Sequence, residues 1–369
     1  MIAQLARRLE SYDRALLVAA SMLLGAGAVL ALAASPAVSA KLDYADKFGF
    51  AWRHFAFAGA GVGLFALSAS FSPRGVRRFS GVLFCIAMMA MLLVLLVGEE
   101  TKGAQRWLRL GPMSMQPSEF MKPALVVLMA WMLSEWMRRR TFPGVQVAMA
   151  LYAAAAVLLL AQPDVGQTTL LAACFAILLF AAGVHWLWMA GGLAAAGVFG
   201  WALYFIFPHV RARVDAFMQP ETASYQVQRA LDAISAGGVL GRGAGEGVFK
   251  RRLPDAHSDF IYAVSAEEFG LLASIGFIAL YGAIAWRGFD RAQRLADPFA
   301  QLAATGLIAL FTVQAAIHMA VNIGAAPAKG MTLPLVSYGG SAMLASAITL
   351  GMAFALIRKR PGAFIYERA

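Results

Sequence analysis

The chain has 369 residues, of which 60% are apolar and 14% charged, with a net charge of +11 and two cysteines. Ordinary soluble domains carry about 25% charged residues, so this composition excludes a soluble globule, a disordered chain and a disulfide-stapled scaffold. The cations sit in small clusters between apolar runs and form no basic stripe, which fits membrane topology and not nucleic-acid binding.

Apolar runs long enough for a bilayer predict an all-α polytopic membrane protein with ten transmembrane helices in a single domain, 1–369. They fall near 15–35, 51–72, 79–98, 119–137, 144–162, 165–183, 187–207, 259–286, 298–324 and 338–357. The apolar stretch from 144 to 183 is too long for one crossing, and Pro163 and Gly166 supply the turn, with Asp164 suited to cap the next helix. Arg7-Arg8 and Ala37-Val38-Ser39-Ala40 imitate a signal peptide, but the apolar stretch between them is long for one. With the N-terminus inside, the inner segments carry 16 Lys and Arg and the short outer segments 7, so both termini are expected in the cytoplasm.

One large extracytoplasmic loop, about 208–258, separates the seventh and eighth helices. Val227, Leu231 and Ile234 recur there at helical spacing and predict a short amphipathic helix on the outer leaflet. The glycine-rich stretch 237–247 lacks the spacing of a dinucleotide loop, and no Walker A lysine is present. It reads as a surface turn or as backbone that approaches a ligand.

Ionisable groups inside a bilayer are costly and mark candidate sites. Glu119 and Lys122 share one face at the start of the fourth span, as a structural ion pair or with Lys122 facing an anionic headgroup. Asp259 opens the eighth span, with Glu267 and Glu268 deeper in it. Gln314, His318 and Asn322 form a polar stripe on the ninth, suited to interhelical hydrogen bonds. His318 has no neighbouring ligand pattern, so no metal site is read. The polar chemistry gathers in four outer segments, 99–123, 163–168, 222–259 and 324–341, which suits a lipid-linked substrate with an anionic head.

Five motifs occur in order: Lys102-Gly-Ala-Gln-Arg-Trp107, Gln116-Pro-Ser-Glu-Phe-Met-Lys122, Gln162-Pro-Asp164, Leu253-Pro-Asp-Ala-His-Ser-Asp-Phe260 and Leu333-Pro-Leu-Val-Ser-Tyr-Gly-Gly-Ser341. Together they resemble the SEDS family (shape, elongation, division, sporulation) of bacterial peptidoglycan polymerases, over essentially the whole chain. Ala34-Ser35-Pro36-Ala37 and Lys102-Gly103-Ala104 are more similar to its division branch than to its elongation branch. Asp255 and Ser258 stand where the family usually has Glu and Thr, Arg229 follows Gln228 where Ser is expected, and Ala342 replaces a second Ser.

The resemblance implies an inverting glycosyltransferase that polymerises lipid II in septal wall synthesis. Asp259 matches the family's acidic motif residue and, as an interfacial carboxylate, can serve as general base. Lys122, Arg251 and Arg252 offer charge-assisted hydrogen bonds to a diphosphate, the arginines otherwise anchoring the loop to headgroups. Trp107 stacks on a sugar or anchors the interface, and Glu119, Asp164, Gln226, His257 and Ser337 complete the implied substrate contacts. No cofactor is certain, and a divalent cation at the diphosphate stays open. Implied partners are a class B penicillin-binding transpeptidase, FtsI, and the divisome proteins FtsQ, FtsL and FtsB. A lipid II flippase, an elongation polymerase of the same family and a non-enzymatic scaffold are the alternatives.

Overall fold

The computed structural model describes residues 11–41, 46–101, 104–111, 113–206, 225–327 and 330–360, with positions 208, 211 and 215. Arg7, Arg8, Arg368, Lys102, Gly103, Lys329 and most of 207–224 lie outside the described residues. In chain order the helices are α1 (Arg14–Lys41), α2 (Gly49–Ala69), α3 (Pro73–Val97), α4 (Pro117–Arg138), α5 (Gly144–Ala161), α6 (Val165–Ala181) and α7 (Trp186–Ile206). After the long loop come α8 (Tyr225–Gly237), α9 (Ile261–Gln293), α10 (Pro298–Asn322) and α11 (Gly340–Ile357). Among the described residues eight of these are long and apolar enough to cross a membrane, and α6 is a shorter apolar helix of 17 residues. The fold is mostly helical, as the apolar runs require.

Burial divides the helices into a core and a lipid-facing ring. On α3, Val82, Ile86, Met89, Leu93 and Leu96 form an exposed apolar stripe, while Val76, Phe84, Ala87, Met91 and Val94 are buried on the other side. That is one helix between a protein face and an apolar solvent. Helices α4, α10 and α11 are apolar and buried on nearly every side, so they form the centre. At one end Lys359 N–H donates to Ser11 O (2.8 Å), so both described chain ends share a face, here termed the terminal face. Asp13 caps α1 there and accepts from Arg287 Nε (2.9 Å) and Arg291 Nε (2.8 Å).

The opposite face, the loop face, departs from the sequence expectation in three places. A small antiparallel sheet, β1 (Glu99–Thr101), β2 (Ala104–Leu110) and β3 (Met113–Met115), occupies the segment between α3 and α4. Gly111 at φ 64° makes the β2–β3 turn. Alternating β2 residues face opposite ways, so Arg106 and Trp107 serve different sides.

The second departure concerns the eighth span. Gly270 has φ 72° and ψ −166° inside α9, and the helix reverses there. Tyr262 and Phe277 have ring centroids 6.5 Å apart. Fifteen residues of straight helix would separate them by about 22 Å. Residues 261–269 are therefore a half-helix folded back on the 271–293 span. Leu271, Leu272, Ile275, Ile278 and Trp286 of the span are exposed, whereas 261–268 are all buried. At 1.5 Å per residue, Asp259 lies about 13 Å or more from the Gly270 tip, back toward the bundle.

Third, α8 forms where the periodicity puts it but packs on protein. Its Ala230, Ala233 and Gly237 are buried, and α9 is its main neighbour. A Cβ at Gly237 would overlap Ala266 O of the half-helix, which explains the small residue.

Candidate functional site

Asp259 stands in a turn that comes back from the loop and leads into the half-helix. The Asp255 carbonyl accepts from Ser258 N–H and Asp259 N–H, both at 3.0 Å, with Asp255 itself at φ 50°. A short polar side chain tolerates that conformation better than most. Asn322, at the end of α10, donates from Nδ2 to Asp259 O (3.1 Å) and accepts from Ala263 N–H (3.0 Å). From the last motif, Ser337 Oγ donates to Ser258 O (2.6 Å) and accepts from Leu333 N–H (2.8 Å). Tyr338 N–H donates to His257 O (3.0 Å). The His257 ring meets Phe50 edge-on at 5.0 Å, and Tyr338 lies 5.7 Å away. The half-buried Asp259 carboxylate faces Gly330, where an added Cβ would come within 3.3 Å of Oδ2. Helix α9 starts at Ile261 with Phe260 as its cap residue and no side-chain capping bond, so Asp259 is not its N-cap.

The 330–337 segment that closes over Asp259 is held from behind. Tyr281 donates to Pro334 O (2.6 Å), and His318 Nδ1 meets Met331 O at 2.6 Å. On α1 the backbone passes so close that a Cβ at Gly27 would sit 2.9 Å from Leu335 O. Gln314 donates to Thr332 O (3.0 Å) and accepts from Lys122 Nζ (3.0 Å), and Lys122 also donates to Glu119 (2.9 Å). Glu119 in turn accepts from Gln167 Nε2 (3.0 Å). The α10 polar stripe thus joins the Asp259 turn, the 330–337 segment and the α4 ion pair.

The same network runs on to the sheet. Asp164 caps α6 through Gln167 N–H (3.2 Å) and lies 3.7 Å from Arg106. Arg106 also donates to Gln162 O (3.0 Å) and to Pro163 O. Burial pushes the Asp164 carboxyl above its ordinary range, and Arg106 pulls the other way without cancelling it.

Glu267 and Glu268 are buried, but in the folded-back half-helix instead of a crossing segment. Glu267 accepts from Val248 N–H (2.5 Å), Phe249 N–H (2.7 Å) and Lys250 N–H (3.0 Å). Glu268 pairs with Lys250. The glycine-rich stretch lies against the reversal: Arg242 N–H donates to Glu267 O and Gly243 N–H to Glu268 O, each at 3.0 Å. A Cβ at Gly270 would overlap Val239 O, and one at Gly241 would overlap Glu268 O. Its glycines permit backbone-to-backbone packing on α9.

Of the sequence-predicted residues, the structure brings Asp259, His257 and Ser337 into one cluster and Glu119, Lys122 and Asp164 into a second joined to it. Lys122 is 2% exposed and turned to Glu119 and Gln314, the ion-pair arrangement. Arg251 and Arg252 are exposed on the rim, and Trp107 and Gln226 are half-buried on β2 and α8. Arg106, Gln167 and Lys250 were not singled out. The Asp164-x-x-Gln167 spacing is a capping signal that points to Gln167. Arg106 had a motif position but no partner in sequence, and Lys250 was hidden in a run of three cations.

A helical bundle with apolar flanks, whose buried polar groups converge on one carboxylate turn at one end, defines a multi-pass integral membrane protein. Residues 14–361 match the model of the FtsW/RodA/SpoVE family, described as cell cycle proteins. The chain belongs to that family. It is 48% identical over 355 residues to a probable peptidoglycan glycosyltransferase FtsW from Caulobacter vibrioides, covering 95% of this chain and 90% of the relative. A protein of the same name from Halothiobacillus neapolitanus is 37% identical, covering 92% and 84%. The fold matches a chain from a peptidoglycan synthase complex described as coordinating polymerization and crosslinking, with TM-score 0.77, 27% identity and coverage of 94% and 97%. It also matches the rod shape determining protein RodA of Thermus thermophilus, with TM-score 0.69, 25% identity and coverage of 94% and 96%.

Proposed function

We propose that the chain is a peptidoglycan glycosyltransferase that polymerises lipid II at the division septum, with Asp259 as general base. The hydroxyl of one lipid II attacks the anomeric carbon of the lipid-linked glycan, and the bond from that carbon to the diphosphate breaks with inversion. The hydroxyl proton passes to the Asp259 carboxylate, and undecaprenyl diphosphate leaves. The observation that carries this reading is the half-buried carboxylate at the loop face, its backbone tied by Asn322 and its neighbour Ser258 tied by Ser337. A base held in place before substrate arrives loses little in reorganisation.

Exposed Arg251 and Arg252 suit the diphosphate, and Trp107, Gln226, His257 and Ser337 suit the sugars and peptide around the turn. Glu119, Lys122 and Asp164 contribute to the same substrate site through the wall they form; the Lys122 charge is already matched by Glu119. The loop face is then periplasmic, the terminal face cytoplasmic, and the cation asymmetry supports that orientation. FtsI is the crosslinking partner in this reading, with FtsQ, FtsL and FtsB in the same assembly. Against a flippase stands α10, where Thr305 is the one polar side chain between Leu302 and Phe311.

The test is polymerisation of lipid II by the purified chain with its transpeptidase. Asp259→Asn keeps the shape of the side chain and loses the base, so glycan formation falls by at least ~10²-fold. Near-normal polymer from folded Asp259→Asn protein removes Asp259 from the mechanism.

A further inference from the structure

The mechanism makes no use of the buried charges at the far end of the half-helix. Lys250 is 3% exposed and Glu268 is 0% exposed, although Arg251 and Arg252 beside them face solvent. Besides Glu268, the Lys250 ammonium donates to Ala33 O of α1 (3.0 Å) and to Gly245 O (2.9 Å). All three of its donors are therefore spent, on three different segments. The adjacent Glu267 carboxylate gathers the N–H groups of residues 248–250. Gly247 is tight against it, since a Cβ there would lie 2.9 Å from Glu267 Oε2.

The half-helix is a rigid rod of nine residues between the Gly270 reversal and Phe260. One end begins two residues after Asp259, and the other is fixed to α1 and to the loop by these charges. Tilting the rod at its far end displaces the carboxylate at its near end, and displacement of about 1 Å in a catalytic group can cost ~10²-fold in rate.

We propose that Lys250 and Glu268 are positioning residues for the glycosyl transfer, acting through the half-helix to set the depth and angle of the Asp259 carboxylate. This rests on the assignment of Asp259 as the base. Neither residue touches the turn, so their loss lowers kcat and leaves KM for lipid II nearly unchanged.

The experiment uses the full chain reconstituted with its transpeptidase and lipid II. Lys250→Met/Glu268→Met replaces the buried pair with apolar groups of similar length, an exchange that buried ion pairs often tolerate without loss of stability. The expected result is intact partner binding and a modestly lowered thermal midpoint, because the Ala33 and Gly245 carbonyls lose their donor, with kcat per folded molecule lowered ~10-fold or more and KM within about twofold. Should that pair fail to fold, Glu268→Gln keeps the shape and one acceptor, and it reads the same split. Wild-type kcat in a folded variant overturns the proposal, as does a rise in KM at constant kcat, which would mean that the pair serves substrate binding through the neighbouring Arg251 and Arg252. Asp259→Asn is assayed alongside. If it stays active, the base assignment itself fails; if it is inactive while the altered pair turns over normally, only the positioning role fails.

Discussion

Among the described residues two lysines are buried, and they are held in different ways. Lys122 sits on a helix and answers to side chains: Glu119 one turn away and Gln314 on α10. Lys250 sits in a loop and answers mainly to backbone, with Ala33 O and Gly245 O beside the single carboxylate of Glu268. The first joins helices whose places are already set by apolar packing. The second holds a segment that has little packing of its own, between a loop and a half-helix. Buried charge at the centre of the bundle is therefore a matter of stability, and buried charge at the loop face is a matter of geometry.

Removing one partner of the central pair should have the largest effect. Lys122→Met leaves Glu119 charged and buried, at a cost of about 3–5 kcal/mol, read as a large fall in the thermal midpoint in detergent. Adding Glu119→Gln should recover much of that loss, because the orphaned charge is gone. Equal thermal loss for the Lys122 pair and the Lys250 pair would erase the contrast between them.

A smaller effect is expected at Asn322, which ties the Asp259 turn to the end of α10. Asn322→Ala strips the hydrogen bonds to Asp259 O and Ala263 N–H, costing about 1–3 kcal/mol. Polymerisation should fall more than the loss of folded protein explains, measured as rate per folded molecule. A strictly proportional loss would make Asn322 a bundle residue like its neighbours.

At the terminal face Asp13→Asn should cost least, about 1 kcal/mol, since Arg287 is 44% exposed and solvent screens the pair. Burial would raise the Asp13 carboxyl, but the hydrogen bond from Arg291 and the charges of both arginines outweigh it, so its pKa lies below the ordinary value of 3.8. A depressed carboxylate contributes stability that is present above the unfolded value and fades as pH falls through the folded one. The gap between wild type and Asp13→Asn should thus be constant near neutrality and close only below about pH 4. A gap that narrows already between pH 7 and 5 would point to a different group.

Why one lysine was readable and the other not follows from the same contrast. Glu119 and Lys122 are three apart on a continuous helix, and that spacing alone puts them together. Asp164 as a cap and the Gln314–His318–Asn322 stripe were legible for the same local reason. The half-helix was not. Its reversal depends on one glycine at positive φ, and apolar residues on both sides of Gly270 read as one uninterrupted span. Once the reversal is missed, Glu267 and Glu268 look like intramembrane charges and the glycine-rich stretch has nothing to pack on. The small sheet was missed because β1 and β3 are three residues each, too short for alternation to register. Asp259 was legible by motif, but the groups that tie its turn come from 63 and 79 residues away in sequence.

The folded-back half-helix also bears on how the protein is made. Residues 261–269 are too short to be taken up as a crossing segment, so they stay with the loop until they settle against the 271–293 span. Asn322 and Ser337 leave the ribosome only afterwards, and synthesis proceeds from the N-terminus. A nascent chain that has inserted everything up to Gln293 therefore carries its acidic turn without either tether. On the assignment of Asp259 as the base, a chain that ends at Gln293 is therefore expected to enter the membrane and form no glycan, because both tethers of the acidic turn arrive with the last two helices.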